Sequence, residues 1–166
     1  MTAITYRMPF GVQGDISRPH ASIVEAQAFG ATAFPQYGLP AQVSAGKVIP
    51  VSGTGQVVYG FLARPFPTTG PNASDPLGTS VPPTSGPASI MRRGYIVVLV
   101  QLGGGSCNLG TGVFIRFQAP SGQQIVGGVE GATSANNYQI TAALGGIAVF
   151  TGPVDSNNLA EVAFNL

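Results

Sequence analysis

Histidine and cysteine each occur once in this chain of 166 residues, as His20 and Cys107, and that restricts the chemistry open to it. A serine hydrolase needs a nucleophile, a base and an orienting acid. His20 is the sole imidazole, it follows Pro19 in an aperiodic stretch, and no Gly-x-Ser-x-Gly elbow frames a serine. Cys107, in Gly-Gly-Gly-Ser-Cys-Asn, lacks an evident partner base and reads as a small hydrophobe. One cysteine and one histidine leave no internal disulfide and no four-ligand Cys/His zinc cage. Glycoside hydrolysis requires two carboxyl groups facing one cleft. The carboxylates are Asp15, Glu25, Asp75, Glu130, Asp155 and Glu161, spread over distant segments, a distribution suited to turn capping and arginine pairing. Gly46-Lys47 lacks the first glycine and the Ser/Thr of a phosphate loop and reads as a hairpin turn. Gly103-Gly104-Gly105 leads to no evident helix, so a dinucleotide fingerprint is not met. Asn72-Ala73-Ser74 matches a glycosylation sequon without a secretory signal before it and is read as accidental. The expectation is a protein that is not an enzyme and takes no metal or cofactor.

Composition points the same way. Lysine and arginine supply 7 residues and aspartate and glutamate 6, so 8% of the chain is charged. Soluble domains ordinarily carry about 25%. At 44% hydrophobic content this is the reverse of the disorder signature, and the chain should fold. A surface with so few charges suits contact with other protein, which makes assembly the first inference. The formal net charge is +1 and the basic residues are scattered, which disfavours direct nucleic-acid binding. The longest strongly apolar run is 95–100. That falls far short of the roughly 20 residues of a membrane-spanning helix. The first ten residues lack the pattern of a signal peptide, so no membrane or secretory destination is expected.

The elements that must position any site are short. With 24 glycines and 14 prolines, long helices are disfavoured. Residues 1–20 mix aromatic residues, glycine and proline without a sustained period and predict an extended arm, leaving 21–166 as a single β domain. The stretch 21–33 fits a short helix or a strand. Strands are predicted at 41–44, 47–51, 56–63, 94–102, 112–118, 124–129, 138–143, 146–151 and 159–164. Residues 65–88 are too rich in proline for ladder or helix and predict a long loop. With no βα alternation and no internal repeat, the architecture expected is all-β: a sandwich, jelly roll or barrel.

Two kinds of residue suit contact with a partner. Arg92 and Arg93 suit solvated charges flanking a strand or pairing with a neighbour's carboxylates. Aromatic residues in or beside the arm and loop suit interface anchors, the others ordinary core. The candidate contact residues are Tyr6, Arg7, Phe10, Phe66, Arg92 and Arg93.

The order of elements resembles the small capsid decoration proteins of tailed bacteriophages, in particular the phage structural cement family. The resemblance covers most of the chain. It rests on Tyr37-Gly38-Leu39-Pro40-Ala41-Gln42-Val43, Gly46-Lys47-Val48, and Val58-Tyr59-Gly60-Phe61-Leu62-Ala63-Arg64 leading into the proline-rich loop. Arg92-Arg93-Gly94-Tyr95-Ile96-Val97-Val98, Gly112-Val113-Phe114-Ile115-Arg116 and the ending from Asp155 to Asn165 complete it. The resemblance implies a jelly-roll-like domain on the outer surface of the head, bridging neighbouring major capsid protein subunits as a small symmetric oligomer, a trimer or dimer. It further implies synthesis in the host cytoplasm and residence in the virion. The proline content of 65–88 departs from that pattern. The alternatives are a tail- or fibre-associated jelly roll and a carbohydrate-binding β module, the latter weakened by the absence of tryptophan.

Overall fold

The structure is a computed structural model, and it describes residues 11–65, 81–101, 106–118 and 124–166. It is all-β. Among the described residues ten strands follow in chain order: β1 (Ile23–Ala28), β2 (Pro40–Ser44), β3 (Lys47–Pro50), β4 (Gly60–Leu62), β5 (Pro87–Leu99), β6 (Phe114–Arg116), β7 (Val129–Glu130), β8 (Asn137–Gln139), β9 (Ala148–Phe150) and β10 (Leu159–Phe164). The helical content of the described residues is two 3-10 turns, Pro19–Ala21 and Ala142–Leu144. Seven strands form one antiparallel sheet in the order β3-β2-β4-β5-β10-β9, with β1 also paired to β5; β7-β6-β8 form a second.

β5 organises the large sheet. Its first half pairs with β1 and β4, and its second half with β10. The changeover falls at Gly94, whose φ is +129°. A Cβ there would overlap Ser22 Oγ, so the bend requires glycine. Just before it the β1 pairing shifts register, Ile23 facing Arg93 and Val24 facing Met91, which leaves Arg92 as the bulged residue. The strand predicted from residue 94 thus begins earlier, at Pro87. Pro87 is accommodated as the first strand residue, where its missing N–H breaks no ladder. Of the predicted loop, 66–80 lie outside the described residues, while Pro87 and Ala88 belong to β5.

Successive strand residues point to opposite faces, and both faces near β4 and β5 are covered. Phe61 and Met91 join a core with Ile96, Val98, Ile115 and Val129 that ties the two sheets together. Leu62 and Ile90 join a second core closed by Phe29, Phe34, Tyr37 and Leu39. The aromatic rings meet edge to face in each, Phe61 with Phe164 at 5.3 Å and Phe29 with Phe34 at 5.9 Å.

Three predicted segments resolve differently. The ambiguous stretch 21–33 supplies β1, in keeping with its β-branched Ile23 and Val24. Predicted strand 124–129 is mostly a turn, with Gly127 at φ +81° donating to Arg116 O and Gly128 donating to Ile125 O; Val129 and Glu130 alone form a ladder. Predicted strand 138–143 ends at Gln139 and gives way to a 3-10 turn closed by left-handed Gly145.

Residues 1–10 of the predicted arm lie outside the described residues. The segment that follows is docked along β5: Gly14 N donates to Val97 O at 2.7 Å, Val97 N to Asp15 O at 2.9 Å and Ser17 N to Tyr95 O at 3.2 Å. Tyr6, Arg7, Phe10 and Phe66, four of the candidate contact residues, fall outside the described residues.

Candidate interaction surface

Most of the described charged side chains that composition made scarce are engaged with one another. Arg116 on β6 meets Glu130 on β7 at 2.6 Å, with Glu130 1% exposed. Asn137 on β8 donates to the second Glu130 oxygen and, at 2.8 Å, to Ala132 O, so one buried network pins the three strands of the small sheet. Glu161 on β10 accepts from Ser17 Oγ at 2.5 Å, Arg18 Nη2 at 2.7 Å and Thr151 Oγ1 at 2.6 Å. Arg18 also stacks over Tyr95, 3.9 Å from the ring centre. Arg64 pairs with Asp15 at 3.8 Å and lies over Tyr37. Asp155 accepts backbone N–H groups from Asn157 at 2.8 Å and Leu159 at 2.9 Å and so shapes the turn into β10. Capping and arginine pairing, the duties expected of these carboxylates, are what the geometry assigns them.

The two adjacent arginines part company. Arg92 pairs with Glu25 at 3.7 Å, stacks 3.6 Å from the centre of the Tyr59 ring and donates to Tyr59 O. Tyr59 in turn donates to Glu25 at 2.7 Å and accepts from Gln27 at 3.1 Å. The hydrogen bond to Glu25, with some burial, pushes the Tyr59 hydroxyl pKa up. Arg93 is exposed, and among the described residues no carboxylate side chain pairs with it. The bulge at the β1–β5 register shift separates the roles of these neighbours, and nothing in the local sequence announces it.

The residues weighed for catalysis sit apart from any such cluster. Cys107 is buried in the inter-sheet core, and burial pushes its thiol up to about 11, which disfavours the thiolate. His20 is exposed in the first 3-10 turn. Ala45 and Gly46 both adopt positive φ, 49° and 74°, and close the β2–β3 hairpin, so Gly46-Lys47 is a turn. An open groove of about 510 Å³ runs past Asp15, Ile16, Ser22, Val24 and Pro65; its Asp15 and Arg64 are the pair already described. Among the described residues no group of three or more His, Cys, Asp or Glu is placed to hold a metal ion. No helix among them is long and apolar enough to cross a membrane.

The arrangement is antiparallel sheets whose described charges are mostly paired with one another, and comparison supplies the class of protein. Residues 1–164 match the family model of the XM1 gp53 minor capsid protein, and the chain belongs to that family. No curated protein matches it. The chain is therefore a phage capsid-related protein with a structural role in the virion.

Proposed function

We propose that this protein is a decoration, or cement, subunit that attaches to the outer surface of the phage head, bridges neighbouring major capsid protein subunits and stabilises the shell. One observation carries the reading: only 8% of the chain is charged, and four of its arginines are paired with carboxylates of the same fold, so the surface carries few unpaired charges. Such a surface loses little solvation when it is covered by protein, which favours broad, largely uncharged contacts. Several weak contacts joined in a small symmetric oligomer then gain avidity without further chemistry. The partners under this reading are the major capsid protein and a second or third copy of the chain, with no role for DNA or membrane.

Cosedimentation with heads stripped of minor proteins tests it, with stoichiometry read against the major capsid protein. Saturable binding at a fixed small-integer ratio is expected. Absence of binding, with long polymers forming in solution, would move the protein to the tail.

A further inference from the structure

We propose that Leu109 is an anchor that seats in the open groove beside Asp15 of a second copy of this chain, joining copies head to tail. The proposal rests on the reading of a small oligomer in the virion and names the contact that holds the copies together.

The anchor is carried by a turn that the fold holds fixed. In the four-residue turn from Asn108 to Thr111, Thr111 N donates to Asn108 O at 3.0 Å and Asn108 N to Thr111 Oγ1 at 3.2 Å. Gly110 supplies a left-handed φ of 81°. Two bonds fasten the turn to β9, Gly110 N to Phe150 O and Phe150 N to Thr111 O, both at 2.8 Å. Cys107, immediately before the turn, is buried in the inter-sheet core. Turn positions of this kind ordinarily take proline or a small polar residue. Here the chain places a leucine, 80% exposed, the most exposed large hydrophobic side chain among the described residues. Leu109 belongs to neither core, and because its backbone is already fixed, little entropy is lost when a partner covers it.

The receptor lies beyond the opposite side of β5. The groove of about 510 Å³ is walled by Ile16, Pro19, Val24, Ala63 and Pro65, with Asp15 beside them. Residues 110–112 pair with β9, β9 with β10, β10 with β5, and the segment 14–17 with the other edge of β5. Four strand spacings of about 4.8 Å therefore separate the turn from the segment that borders the groove. Leu109 cannot reach the groove of its own chain, and a second copy offers the same groove to it.

The polar groups beside the two apolar features also match. Asp15 keeps 44% of its side chain exposed although Arg64 is 3.8 Å away, so its carboxylate retains acceptor sites. Asn108 is exposed, and its side-chain amide has no hydrogen-bond partner among the described residues. An apolar knob flanked by an amide donor thus meets an apolar groove flanked by a carboxylate acceptor, and no charge is covered without a partner. Because knob and groove are different surfaces, the contact is heterologous: it cannot close in a dimer, and it closes in a ring of three or more.

Photo-crosslinking in assembled virions tests the contact, with a photoreactive residue in place of Leu109 and a control in place of the exposed Lys47. Crosslinks from position 109 that join two copies of the chain and map to residues 15–24 or 63–65 are expected, and none to those residues from position 47. Adding Val24→Lys to the position-109 chain should lower the crosslink yield per incorporated copy at least about tenfold, and adding Lys47→Glu should leave it within about twofold. Circular dichroism and the thermal midpoint check that each chain is folded. Crosslinks from position 109 to a different protein alone, or none, overturn the proposal, as does an unchanged yield in folded Val24→Lys. Groove crosslinks between copies found in tails instead of heads uphold this contact and sink the cement reading. Saturable binding to stripped heads, with position 109 crosslinked only to the major capsid protein, does the reverse, so the two failures are distinguishable.

Discussion

Arg116 and Glu130 form an ion pair inside the small sheet, with side chains 8% and 1% exposed. A pair this deeply buried is a strong constraint on the surrounding structure and a modest contributor to net stability, because desolvating two charges offsets much of their attraction. Glu130→Ala leaves the guanidinium buried without its partner and should cost about 3–5 kcal/mol. Arg116→Met combined with Glu130→Leu should recover most of that loss. Urea denaturation of the three variants checks this; a double variant as unstable as the single one would show that packing, and not the stranded charge, dominates.

Acid should loosen the attachment of the segment before β1. Burial acts to raise the pKa of Glu161, but hydrogen bonds from Ser17, Thr151 and Arg18, with the Arg18 charge, outweigh it and hold the carboxyl below its usual value of 4.5. A depressed folded pKa stabilises the fold above the unfolded value and loses that contribution as pH falls through the folded one. Thermal midpoints should therefore be flat between about pH 6 and pH 7 and decline below about pH 4.5. In Glu161→Gln that decline should be shallower, with a lower midpoint at neutral pH. Equal acid sensitivity of the two proteins would remove Glu161 as the cause.

Gly94 and Gly86 both have positive φ, at 129° and 93°, but differ in surroundings. A Cβ on Gly86 meets nothing within 4 Å, whereas one on Gly94 runs into Ser22. Gly86→Ala should cost about 1–2 kcal/mol of backbone strain alone. Gly94→Ala should cost at least about 3 kcal/mol, since β1 and β5 must separate to admit it. Similar losses in the two variants, by chemical denaturation, would show that the bend tolerates a side chain.

The predicted arm divides at the point where pairing with β5 starts. Removing residues 1–10 leaves the hydrogen bonds of Gly14, Asp15 and Ser17 to β5 in place. The thermal midpoint should then stay within about 2 °C. Removing residues 1–18 strips Ser17 and Arg18 from the buried Glu161. That loss should cost about 3 kcal/mol. Differential scanning calorimetry separates the two. If the first deletion also lowers occupancy on stripped heads, the arm shares in the attachment; unchanged occupancy leaves the contact to the folded strands.

Much of this architecture was legible in the residues. Leu159 to Phe164 is a run of strand-forming character bounded by asparagine, and β10 has those limits. The β2–β3 hairpin follows from Ala45-Gly46 between two apolar runs. Where glycine and valine are mixed, as at 124–129, propensity alone misled, because Gly127 takes a left-handed turn that apolar content does not reveal. The surface was less legible. Arg92 and Arg93 are chemically identical neighbours, and only the register shift against β1 gives one of them Glu25 and Tyr59 while the other stays exposed.

By itself, the amino-acid sequence determined the fold class and the scarcity of charge, since both depend on composition and on local patterns of turn and strand residues. It also determined that carboxylates and arginines are few enough to be matched one to one. Which carboxylate meets which arginine was decided by tertiary structure alone. Glu161 and Ser17 are 144 residues apart and become neighbours because β10 and the segment before β1 both pair with the second half of β5. Strand order and register are long-range outcomes of burying two cores at once, and local sequence carries no record of them.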